Sequence, residues 1–160
     1  MKELDVIGVR VEMPSNNPIV LLREREGQRY LPIWIGAPEA TAIAYAQQGV
    51  EPPRPLTHDL MLILLTSLGH QLDEVRITAM KDGIFYATLV LDGGTEISAR
   101  SSDAIALALR AATPILASDE VMDLVGVTLA MEDEDEVERL REFLDKVSAE
   151  DFEEYEPPRA

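Results

Sequence analysis

At 160 residues with 46% hydrophobic residues, the chain has the length of one ordinary domain and enough apolar material for a core, which excludes a fully disordered protein. It has no cysteine, which excludes a disulfide framework, thiolate chemistry and zinc–sulfur sites. The net charge of −16, of which −9 falls in the last 29 residues, opposes non-specific nucleic-acid binding, so a nucleic acid would have to be reached through a local basic patch or bridging metal ions.

In chain order, residues 4–13 alternate loosely and read as a strand, closed by the turn cluster Pro14-Ser15-Asn16-Asn17-Pro18. Ile19 to Leu22 and Tyr30 to Ile35 read as a hairpin, with Gly27 expected at positive φ. Gly36 closes the second strand and Pro38 suits a first helical turn, so Ala40 to Gln48 reads as a helix ended by Gly49. The Pro-rich segment Glu51-Pro52-Pro53-Arg54-Pro55 is a rigid loop, and Thr57 is the expected N-cap of a helix running to Leu68. A three-stranded meander follows over residues 73–80, 84–91 and 95–99, turned by Asp82-Gly83 and Gly93-Gly94. Ser101 or Ser102 is the expected cap of a helix over Ala104 to Ala112, broken by Thr113-Pro114. Ile115 to Ala117 is a short strand candidate, and Ser118 heads one more helical turn ending near Leu124. Asp133 to Val147 keeps helical spacing through Val137, Leu140, Leu144 and Val147, and an acidic tail follows.

The expected architecture is α+β: a mixed, largely antiparallel sheet with helices packed against it, plus a C-terminal acidic helix. The expected division is a domain over 1–131 and an acidic helix and tail over 132–160. No segment is apolar and long enough to span a bilayer, and the N-terminus lacks signal-peptide character, so a cytoplasmic location is expected.

Three helix starts concentrate the polar groups: Gly36-Ala37-Pro38-Glu39-Ala40, Arg54-Pro55-Leu56-Thr57-His58-Asp59 and Ala99-Arg100-Ser101-Ser102-Asp103-Ala104. Helix N-termini expose unpaired N–H groups and partial positive charge, which suit a phosphate. Glu39, Asp59 and Asp103 are candidate catalytic carboxylates and candidate ligands of a divalent ion such as Mg²⁺ or Mn²⁺. His58 is a candidate general acid or base. Arg54, Arg100 and Ser102 are candidate phosphate contacts. Each also has a plain structural reading. The first-turn carboxylates complement helix dipoles, and Arg100 can staple the fold through Glu39 or Asp103. Trp34 reads as core or interface. Nothing matches a phosphate-binding Gly-rich loop, a dinucleotide fingerprint, a zinc motif or a nucleophile elbow, so no organic cofactor is expected.

Taken together, three segments resemble the bifunctional nuclease domain family: Leu31-Pro32-Ile33-Trp34-Ile35-Gly36 with Glu39-Ala40; Arg54-Pro55-Leu56-Thr57-His58-Asp59-Leu60; and Ala99 to Ala108, preceded by Phe85-Tyr86-Ala87. The resemblance covers roughly residues 3–130. It implies an α+β domain, often dimeric, with activity on both DNA and RNA. The family's usual third motif reads Asp-Ala-Arg-Pro-Ser-Asp-Ala; here Ser98 stands for its first Asp and Ser101 for its Pro. The expected function is therefore metal-assisted hydrolysis of phosphodiesters in DNA or RNA, with the protein as a homo-oligomer, a dimer favoured. The alternative is a non-catalytic module that docks a protein partner or a small anionic ligand.

Overall fold

The computed structural model describes residues 1–12 and 15–128, and the expected acidic helix and tail of 132–160 lie outside them. Eight strands form one sheet: β1 (Lys2–Glu12), β2 (Asn17–Glu24), β3 (Arg29–Trp34), β4 (Leu72–Lys81), β5 (Ile84–Leu91), β6 (Glu96–Arg100), β7 (Ile115–Ala117) and β8 (Val127–Thr128). Four α-helices accompany them: α1 (Ala37–Gln48), α2 (Thr57–Ser67), α3 (Ser101–Ala111) and α4 (Asp119–Val125). The architecture is α+β, as expected. Among the described residues, no helix is long and apolar enough to cross a membrane.

The spatial order is β6-β5-β4-β7-β1-β2-β3-β8. Two antiparallel meanders, β1-β2-β3 and β4-β5-β6, are joined by the three-residue strand β7. It pairs parallel with β4 and antiparallel with β1, through Val75↔Ile115 and Leu4↔Ile115. Both edges of β7 are paired, and alternate side chains, Ile115 and Ala117, are buried while Leu116 is partly exposed.

One face of the sheet meets the helices through a single core that includes Leu22, Ile33, Ile43, Ile77, Leu89 and Ile105. Helix α3 lies on β4 and β5, α1 lies on β1 and β2, and α2 packs on α3. The run Ala104-Ile105-Ala106-Leu107-Ala108 is wholly buried. Its alternating alanines let α3 approach both the sheet and α1. The chain ends of these helices follow local rules. Gly49, at φ 69°, closes α1, and Gly69, at φ 84°, follows α2, a conformation that glycine adopts without a Cβ penalty.

Two local expectations are corrected. Gly27 does not sit at positive φ. It is required for another reason: a Cβ there would run into the Glu24 carboxylate, which is buried and bonded by Arg29 at 3.1 Å. Arg29 also reaches Asp123 of α4 at 2.8 Å, so the hairpin turn and α4 share one cation. The serines before α3 do not cap it either. Arg100 holds the N-cap position, and Ser101 and Ser102 are already helical and buried.

Gly27→Ala should therefore force the Glu24–Arg29 pair to shift, at a cost of about 1–3 kcal/mol in chemical denaturation. An unchanged midpoint would show that the Glu24 side chain moves aside freely.

Candidate active site

The three helix starts converge. Their meeting point is the Arg100 guanidinium, placed at the end of β6 where the chain turns into α3. Nε of Arg100 donates to Asp103 Oδ2 at 2.8 Å. Its Nη2 donates to Asp103 Oδ1 at 3.1 Å and to Glu39 Oε1 at 3.0 Å. Asp103 Oδ1 also bonds His58 Nε2 at 2.8 Å. One cation and one imidazole thus link the first turns of α1, α2 and α3.

The local sequence explains each placement. Glu39 and Asp103 occupy first helical turns, where the exposed N–H groups favour a carboxylate. Thr57 is not the N-cap of α2. Leu56 holds that position, and the Asp59 carboxylate accepts from the Leu56 N–H at 3.0 Å. A Leu side chain cannot accept, so Asp59 supplies the capping bond from inside the helix. This frees the preceding turn to aim His58 at α3.

The electrostatics follow from the contacts. The His58 hydrogen bond and then the Arg100 contacts hold the Asp103 carboxyl below its ordinary range, against the opposing effect of burial. An ionised Asp103 only accepts, so Nε2 of His58 carries the proton and Nδ1 of a neutral ring is left as acceptor. Nδ1 has no partner among the described residues and is not sealed from solvent. Arg100 is 47% exposed along its side chain, and its Nη1 makes no hydrogen bond among the described residues. The Asp103 hydrogen bond raises the Arg100 pKa further above its ordinary value, so it stays a cation.

The other expected residues go elsewhere. Asp59 does not join Glu39 and Asp103. Its Oδ1 accepts from Arg110 Nε at 2.6 Å. Burial pushes the Asp59 carboxyl up, and the bonds from Arg110 and the Leu56 amide more than reverse this. Ser102 is 3% exposed, which removes its hydroxyl from a surface phosphate. Arg54 is exposed in the Pro-rich loop and pairs with no described residue. Among the described residues, no three His, Asp or Glu side chains group so as to hold a metal ion. The expected carboxylate set is not assembled, because Arg100 lies between Glu39 and Asp103 and Arg110 draws Asp59 away. As arranged, these residues do not fit a metal centre.

The sequence reading passed over Arg110. Its guanidinium, 9% exposed, joins three helices: Nε to Asp59 of α2, Nη2 to the Ala42 carbonyl of α1 at 3.1 Å, and Nη1 to the Ala106 carbonyl of α3 at 2.9 Å. The signal was available in the spacing. Asp103 and Arg110 are seven residues apart, on one face of a helix that is wholly apolar between them.

Comparison with known proteins places the chain in a family. A family model described as Bifunctional nuclease domain matches residues 20–130, a span containing all three helix starts. Two uncharacterized proteins, from two strains of Mycobacterium tuberculosis, are each 52% identical over 161 residues, covering 95% of this chain and 98% of the relative. The chain belongs to the bifunctional nuclease domain family.

Two measurements test these contacts. Arg110→Met keeps the aliphatic stem but leaves Asp59 half-buried and unpaired, and should cost about 3 kcal/mol in urea denaturation. A loss below about 0.5 kcal/mol would mean that this cation does not hold the helices. Asp103 and Asp59 titrate lower folded than unfolded, where an Asp pKa is about 3.9. The stability they bring is complete above about pH 5 and is lost as pH falls through the lowered folded values. Asp103→Asn should lower stability at neutral pH and flatten the acid limb of the stability curve. Equal acid slopes in the two proteins would contradict the pairing.

Proposed function

We propose that this protein is a cytoplasmic nuclease that hydrolyses phosphodiesters of DNA or RNA at the convergence of α1, α2 and α3. The observation that carries the reading is the juxtaposition of a proton-transfer group with a half-exposed cation, His58 and Arg100 on one Asp103 carboxylate, inside the span matched by the nuclease family model. Arg100 binds the scissile phosphate through its unengaged Nη1 and offsets the charge that grows on the phosphoryl oxygens. His58, oriented by Asp103, accepts the proton of the attacking hydroxyl or water at Nδ1. Glu39 fixes the plane of the guanidinium from the opposite side. Arg54 is a further phosphate contact on its mobile-length side chain in the adjoining loop. Asp59 acts on this site only by seating α2.

A specific observation favours a second reading. Every carboxylate at the convergence is already paired with a cation or an imidazole, as in a closed structural network. In that reading the domain binds an anionic ligand or a protein partner and does no chemistry.

The two readings separate in one assay. Highly purified full chain is incubated with fluorescent single-stranded RNA and DNA, in Mg²⁺, Mn²⁺ or EDTA. His58→Gln, Arg100→Ala and the Glu39→Gln/Asp103→Asn double variant are run alongside. Loss of the proton-transfer group should lower the rate by about 10²–10⁴-fold in a protein whose far-UV dichroism is unchanged. Arg100→Ala should weaken substrate binding as well as turnover. Equal traces of cleavage in all four proteins would identify a contaminant and establish the binding module. The EDTA arm decides whether an added divalent ion takes part.

A further inference from the structure

Strand β5 carries an exposed aromatic ring beside Arg100. Its residues Phe85, Ala87 and Leu89 belong to the core beneath the helices. Side chains alternate along a strand, so Ile84, Tyr86 and Thr88 lie on the opposite face of the sheet. There Ile84 is 42% and Tyr86 43% exposed. Tyr30, Trp34 and Phe85 are buried, and Tyr45 lies away on α1, which leaves Tyr86 as the open aromatic at this end of the fold. Tyr86 pairs directly with Arg100 in the β5–β6 ladder. Opposed residues of an antiparallel pair hold their Cβ atoms about 4.5–5.5 Å apart. Strand β6 is the edge of the described sheet, and the Arg100 side chain leaves that edge for Glu39 and Asp103 in the first turns of α1 and α3. One residue therefore joins the face bearing Tyr86 to the convergence of helix starts.

We propose that Tyr86 stacks one unpaired base of a single-stranded DNA or RNA while Arg100 holds an adjoining phosphate, so that the site takes single strands in preference to duplex. The inference rests on the reading of Arg100 as a phosphate contact. A single strand offers a flat π-face and a negative phosphate at each nucleotide, and an open ring beside a half-exposed guanidinium matches both. A duplex keeps its base faces stacked inside the helix and offers the ring nothing to cover it. The charges along this face agree. The neighbours of Tyr86 across both ladders are Ala79 and Arg100, and the next pair in the β5–β6 ladder, Thr88 opposite Ser98, is small and uncharged. The carboxylates of these strands stand at the two ends. Asp82 lies in the β4–β5 turn next to Lys81, and Glu74 and Glu96 at the far end are both paired with Arg76. The one charge set against the ring is thus the cation.

The test is fluorescence anisotropy of the full chain with four labelled probes, read before cleavage proceeds. The probes are a single-stranded DNA, the matching RNA, the DNA annealed to its complement, and an abasic phosphodiester strand of the same length. The base-bearing single strands should bind about 5–150-fold more tightly than the abasic strand, and the duplex no more tightly than the abasic strand. Tyr86→Thr, which keeps a good strand former on the sheet, should remove that difference. Tyr86→Phe should keep it, because the ring remains. The slope of log Kd against log salt should be the same in Tyr86→Thr as in the parent, since no phosphate contact is lost. Failure to bind any single strand overturns the proposal. So does equal affinity for base-bearing and abasic strands, or a Tyr86→Thr chain that binds as the parent does. Cleavage measured in parallel separates this inference from the nuclease reading. A chain with the expected binding pattern that cleaves nothing keeps the stacking platform and sinks the nuclease reading. A chain that cleaves single strands and duplex with equal kcat/KM, indifferent to Tyr86→Thr, keeps the nuclease reading and overturns the platform.

Discussion

Two guanidinium groups on one helix decide where the other two helices stand. Arg100, at the N-cap of α3, gathers Glu39 of α1 directly and His58 of α2 through Asp103. Arg110, at the far end of the same helix, holds Asp59 of α2 and the Ala42 carbonyl of α1. Helix α1 has a second hold, through Ile43 and Ala40 in the core. Helix α2 has little beyond Leu65 packed against that core. Its register against α3 is set by two contacts one residue apart, the His58–Asp103 hydrogen bond and the Asp59–Arg110 ion pair. Adjacent helical residues point about 100° apart, so one helix turn grips α3 at two places and cannot rotate without losing one.

This explains why the strands, the helix starts and the grouping of Glu39, His58, Arg100 and Asp103 were legible in the sequence, and the places of Asp59 and Ser102 were not. Gly36 with Pro38, Pro55 before Thr57, and Gly49 and Gly69 after their helices are local signals, and local backbone preferences set these boundaries. The short strand Ile115–Ala117 was legible as a strand. Its central place between β4 and β1 was not, because pairing order is decided across long sequence separations. The serines at 101 and 102 read as caps because their type favours caps. The fold buries them because α3 is sunk into the core from its first residue. Asp59 read as a partner of Asp103 because both sit at converging helix starts. Arg110, eight residues past Ser102 in sequence, competes for it in space. The exposure of α2 was the least legible feature, since an uncharged run of Leu, Ile and Met reads as a core helix whether another element of the chain or another molecule covers it.

The paired state of the carboxylates bears on how a site of this kind could work. A free carboxylate cluster repels a phosphate and needs a cation to admit it. Here the cation is Arg100, and it is shared rather than neutralised, with its outer nitrogen unengaged and its side chain half exposed. The carboxylates of Glu39 and Asp103 are both held by Arg100, so the convergence carries less net negative charge than two free carboxylates would. Short-range geometry at the convergence, not net charge, therefore decides whether a polyanion can approach, given screening lengths of about 8–10 Å at ordinary salt.

Site and surface meet in α2. A helix with no buried residue gains little from its own packing, and its opening free energy falls at the low end of the range within a fold. The imidazole of His58 is only as well placed as this helix is, and a proton-transfer group displaced by about 1 Å can lose on the order of 100-fold in rate. The hydrogen bond to Asp103 and the ion pair to Arg110 orient the first turn but leave apolar side chains from Leu60 to Leu68 exposed. The order of the site thus depends on a single helix that is held chiefly by its first turn. The two guanidinium anchors set its direction, and the apolar side chains beyond them stay exposed.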